Sequence, residues 1–212
     1  MGLAIGGVII RQDINQFKAE QIVSYFFGAS FIELKENELN NTVNTKRFDA
    51  REHDCIIIYK TPRFIIIVNY YFTLNFYKAD SEVIHKTYNY FNRPAQIFAF
   101  EYYSSGDIYG YSIITNGKLI RWLRYTPDAV KPGTFGKPLN IELKLLSAKK
   151  IKKKDDNGEL TTYYIHPDTN ELIFEGGLTE SLQQDVMTHE VDLSPDSVYD
   201  KAIERRYFRL TV

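Results

Sequence analysis

The chain has 212 residues, 44% of them hydrophobic and 25% charged, with a formal net charge of −1. This balance fits one globular domain, or one domain with an appended piece, and excludes a global electrostatic pull toward nucleic acid or anionic membranes. The single Cys55 excludes an internal disulfide, and its apolar run Cys55-Ile56-Ile57-Ile58 predicts a small buried hydrophobe rather than a nucleophile.

The apolar opening has no basic segment, and Arg11 follows too soon for a spanning helix. A cytoplasmic protein is expected, beginning with a strand at Leu3–Arg11. Asp13 and Gln16 resemble a capping box. Ala19, Ile22, Val23, Phe26 and Phe27 then make one face of a helix, closed by Gly28. Phe31–Leu34 reads as a short strand, and Lys35–Phe48 as a polar loop. Cys55–Lys60 and Arg63–Phe72 read as strands, the second apolar on both faces and so central. A helix over Ser81–Phe91 follows, capped by Asp80 or Ser81 and ended by Asn92-Arg93-Pro94.

Three strands come next: Gln96–Tyr103, Ile108–Thr115 and Lys118–Tyr125. Asn116-Gly117 between the last two is a strong hairpin signal, because both central residues of a type I′ turn need positive φ. A plain two-residue turn pairs Thr115 with Lys118, Ile113 with Ile120, Tyr111 with Trp122 and Tyr109 with Arg124. On the other face it pairs Ile114 with Leu119, Ser112 with Arg121 and Gly110 with Leu123. Thr126–Pro138 is a Pro- and Gly-bearing loop. Beyond it, Leu139–Leu146 reads as a strand, Asn157-Gly158 as a second turn, and Thr161–Ile165 and Glu171–Phe174 as short strands. Short helices start at Thr179 and at Ser194-Pro195-Asp196. Alternating Phe208, Leu210 and Val212 predict a final strand. The expected fold is α+β, a mixed, mainly antiparallel sheet with helices on one face. Residues 1–146 form the core, where the repeated order of strand, helix, strand, strand suggests two related halves, and 147–212 a hairpin-and-helix extension packed on it.

The pattern offers no catalytic, cofactor-binding or metal-ligating set. The four histidines have no ligand spacing, and the serines have no nucleophile elbow. The run Lys149, Lys150, Lys152, Lys153 and Lys154 reads as a solvated hairpin arm rather than a nucleic-acid patch, because Asp155 and Asp156 compensate it and it lacks flanking aromatics. Arg121 between Leu119 and Leu123, and Glu101 on the face of Ile97 and Ala99, need partners if buried. The aromatic content of 15%, with 16 Tyr and 14 Phe, suits a β-rich core and also a partner-binding surface.

From Gly117, Leu119, Arg121 and Leu123 through Pro127, Asp128, Gly136, Pro138 and Glu142, the chain resembles an uncharacterised bacterial family, a domain of unknown function. The ending Phe208-Arg209-Leu210 is similar too. The resemblance implies a bacterial cytoplasmic α+β protein and no activity. By type, it is similar to immunity proteins of bacterial toxin systems.

These readings favour a non-enzymatic protein-binding module without cofactor or membrane attachment, of the immunity type that neutralises a partner. Its expected surface is the hairpin face of Tyr109, Tyr111 and Trp122, rimmed by Lys118 and Arg124, unless the segment after Thr126 covers it. An alternative is an enzyme or small-ligand protein with a cleft near Arg121, Asp128 and Glu142. A second alternative is nucleic-acid binding through Lys149–Lys154.

Overall fold

A computed structural model describes residues 4–12, 16–39, 49, 51–79, 81–129, 131–154, 158–194 and 197–210. Twelve strands are described: β1 Ala4–Arg11, β2 Phe31–Leu34, β3 Cys55–Lys60, β4 Phe64–Val68, β5 Gln96–Tyr103, β6 Ile108–Thr115, β7 Lys118–Tyr125, β8 Gly133–Phe135, β9 Lys150–Lys154, β10 Leu160–Ile165, β11 Leu172–Phe174 and β12 Glu204–Leu210. The helices are α1 Ala19–Phe27, α2 Tyr70–Thr73, α3 Glu82–Tyr90, α4 Asn140–Leu146, α5 Leu178–Val191 and α6 Ser197–Asp200. Asp13, Asp80, Asn157, Pro195-Asp196 and Val212 of the expected caps, turns and last strand lie outside the described residues, as do 40–48 of the polar loop.

Nine strands form one sheet in the order β2-β12-β3-β4-β1-β5-β6-β7-β8, and β11-β10-β9 form a second. The described pairings are antiparallel throughout. The fold is therefore α+β, as expected. The last strand is no appendage: β12 pairs with both β2 and β3 in the main sheet.

Strands β3 and β4 are buried along their whole length because both faces of the sheet are covered. Val8, Ile10, Ile65, Ile67, Ile97, Ala99 and Ile114 point to one layer. There Ile22 of α1, Phe72 of α2 and Ile84 of α3 meet them. Ile9, Ile66, Phe98, Phe100, Tyr111 and Ile113 point to the other, against Leu145 of α4 and Leu182, Val186 and Met187 of α5. Helices α1 and α3 thus share one face, as expected, with α2 beside them, and the C-terminal segment lays its own helices on the opposite one.

Two elements differ from expectation. Leu139–Leu146 holds a helix, α4, because the Glu142 carboxylate accepts the Leu139 backbone N–H at 2.6 Å and so satisfies a free donor of the first turn. The strand expected over Arg63–Phe72 stops at Val68, where the Asn69 side chain accepts the Phe72 N–H and starts α2. Ser81 precedes α3 but makes no side-chain cap. Among the described residues, no helix is long and apolar enough to cross a membrane.

Candidate binding surface

The hairpin of β6 and β7 turns at Asn116 and Gly117, with φ of 51° and 74°. Its register begins as expected, Thr115 with Lys118 and Ile114 with Leu119, and then shifts. Ile120 is an extra residue, so Ile113 faces Arg121, Ser112 faces Trp122, Tyr111 faces Leu123, Gly110 faces Arg124 and Tyr109 faces Tyr125. A bulge of this kind swaps the face of every residue beyond it. It lets Leu119 pack in the layer of α1 and α3 while Leu123 joins the core under α5.

The expected aromatic surface is therefore not one surface. Tyr109 and Tyr111 are buried against the C-terminal segment. Burial, then the nearby Glu180 carboxylate, pushes the Tyr109 hydroxyl up to about 12. Trp122 is half-buried on the opposite face, edge-on to Tyr77 with centroids 6.1 Å apart. Lys118 is exposed, but Arg124 is engaged by buried Glu101, Nε to Oε2 at 2.6 Å. Burial raises the Glu101 carboxyl, and Arg124 holds part of that rise back.

Of the expected cleft, two residues meet and one does not. Arg121 Nε donates to both Glu142 oxygens at 3.1 and 3.0 Å, and a terminal nitrogen donates to Oε1 at 2.6 Å. Its other terminal nitrogen donates to the carbonyls of Phe135 and Gly136. Both side chains are buried, and the pair forms a latch joining β7, the loop at Gly136 and α4. Asp128 is exposed in the turn after β7 and is no part of the pair. Gly117, Arg121, Gly136 and Glu142 thus assemble one structural unit of turn, bulge and latch.

An aromatic surface does exist, on the helical face. Tyr25 of α1 is 43% exposed and lies 4.3 Å from the Tyr90 ring of α3, with Lys86 Nζ 4.8 Å above it. To one side, Gln16, Phe17, Glu20, Gln21, Ser24, Tyr25 and Tyr90 line a groove of about 830 Å³. To the other, Phe26, Phe27, Tyr71, Phe72 and Val83, with polar His53, Asn69, Asn75 and Lys86, line a second of about 260 Å³. Tyr71 at its rim is 54% exposed. Sequence reasoning passed over these tyrosines. Tyr25 and Tyr90 fall outside the apolar stripes of their helices, and a large aromatic outside the stripe is the signal that could have found them.

Glu52, His53 and Asp54 bring potential ligand atoms within 4.8 Å of one another. They are consecutive on one turn, so the convergence follows from the turn itself. Cys55 beside them is buried, and burial pushes its thiol up. No family model matches the chain, and no curated protein or solved structure matches it.

Proposed function

We propose that the protein is a non-enzymatic protein-binding module, of the bacterial immunity type that acts by occupying a partner, and that it binds through the face of α1, α2 and α3. The observation that carries the reading is Tyr25, exposed on the wall of the first groove with Tyr90 beside it and Lys86, which lines the second groove, above. Rigid aromatic anchors within a polar rim are the composition that concentrates binding energy at interfaces. Here Glu20, Gln21 and Ser24 on one side, and His53, Asn75 and Lys86 on the other, supply that rim. The cytoplasm is the compartment that fits a lone buried thiol. The ligand-cleft reading has less support, since Arg121 and Glu142 already use each other.

The test is a pull-down from the native host with wild type and with Tyr25→Ser/Tyr71→Ser, both residues being exposed enough to leave the melting temperature nearly unchanged. A stoichiometric protein retained by wild type and lost by the variant supports the reading. No stoichiometric partner, or equal retention by both, removes it.

A further inference from the structure

The three-stranded sheet has an outer face that the fold leaves open. Tyr164 and Ile173 point inward, buried in the core with Leu182 and Val186 of α5. By alternation, the residues between them point outward. Ile151, Tyr163 and Phe174 lie side by side across β9, β10 and β11. One step along, Lys153 faces Thr161, and on the other side Ile165 faces Leu172, with its N–H donated to the Lys149 carbonyl. Phe174 is 54% exposed, and its ring lies 6.2 Å from that of Tyr163. The register thus supplies the aromatic neighbours that the lysine run lacks in sequence.

The charge on this sheet is one-sided. The strands themselves carry only lysines, Lys150, Lys152, Lys153 and Lys154, all on edge strand β9. In sequence the acids Asp155, Asp156, Glu159, Asp168, Glu171 and Glu175 fall in the connecting segments, and Asp168 is taken by Lys144 of α4. Lys150 lies over the Tyr164 ring, 4.6 Å from its centroid, while Lys149, Lys152, Lys153 and Lys154 are exposed.

We infer that this face binds single-stranded nucleic acid, its bases on Tyr163 and Phe174 and its phosphates on Lys149 and Lys153, the two lysines that alternate to the same side. A row of cations tracking a backbone beside exposed aromatic rings is the arrangement that binds single strands without reading sequence. The inference is independent of the protein-binding reading, because this face and α1–α3 lie on opposite sides of the main sheet.

The experiment is fluorescence anisotropy of the whole protein with a labelled 12-mer of deoxythymidine, over a range of salt. Binding at low salt is expected with Kd on the order of 10 μM or tighter. Two phosphate contacts give a slope of log K on log salt of about −1.4, since each contributes roughly −0.7 on a single strand. Lys149→Gln/Lys153→Gln should flatten that slope to near zero. Phe174→Ala should weaken binding roughly 5- to 100-fold at unchanged melting temperature. Three results overturn the inference: negligible binding at low salt, binding that the lysine changes weaken but Phe174→Ala does not, or binding to phosphatidylserine vesicles or an acidic peptide in place of the oligonucleotide.

Discussion

Arg124 passes over Gly110 to reach Glu101. Its Nε lies 2.6 Å from a fully buried carboxylate oxygen, and a Cβ on Gly110 would come within 3.1 Å of the arginine Cγ. In register, Gly6 and Gly110 flank Glu101 on β1 and β6. The glycines keep open the space in which a charge can lie beneath the layer of α2 and α3, and the arginine makes that charge tolerable.

Removing the arginine leaves the carboxylate buried without its partner. Arg124→Ala is expected to cost about 3–5 kcal/mol near neutral pH, measured by urea unfolding. The cost should depend on pH in a defined direction. Burial already raises the Glu101 carboxyl. A raised carboxyl stabilises the fold fully below the ordinary carboxylate range, and that contribution is lost as pH rises through the raised value. Arg124→Ala lifts the carboxyl further, so its deficit against wild type should shrink between about pH 7 and pH 4. A deficit that grows on acidification would contradict this.

The latch between Arg121 and Glu142 should behave as a stability element rather than a ligand site. Glu142→Ala is expected to cost about 3–5 kcal/mol, since it strands a buried guanidinium and frees the Leu139 N–H. Arg121→Met/Glu142→Leu should cost less than the sum of the two single changes. Strict additivity in denaturant unfolding would mean that the two side chains are not coupled.

Gly136 is the backbone counterpart of that latch. Its φ is 78°, and a Cβ there would lie 2.0 Å from the Ile120 carbonyl oxygen at the bulge. Gly136→Ala should cost at least about 2 kcal/mol. Gly158 also has positive φ, 83°, but nothing lies near its Cβ position, so Gly158→Ala should cost only about 1 kcal/mol. Equal thermal shifts for the two would show that the bulge does not clamp this loop.

What was legible in the sequence was local. The strands β5, β6 and β7 have the bounds read from alternation and from Asn116-Gly117, and β2 and β3 likewise match their apolar runs. The faces beyond Ile120 were not legible, because the two-residue turn at Asn116-Gly117 carries no sign of the bulge that shifts the register after Ile114. Apolar residues at Leu139, Ile141, Leu143 and Leu145 alternate like a strand, and one carboxylate cap decided for helix. The outward pair Tyr163 and Phe174 required the register of two hairpins. No windowed reading of a lysine run supplies that.

Cys55 is expected to be chemically quiet. It is buried on β3, and burial raises its thiol away from the reactive thiolate form. Labelling by a thiol reagent should be slow in the native protein and fast in denaturant. Comparable rates in both would contradict the assignment.

The central claim is that a protein partner docks on the aromatic face of α1–α3. The direct measurement is site-specific photocrosslinking in the native host, with p-benzoylphenylalanine replacing Tyr25 and, as a control on α4 across the main sheet, replacing exposed Leu143. The expected result is one discrete protein adduct from position 25 and none from position 143. Adducts of equal yield from both positions, or from position 143 alone, would contradict the claim.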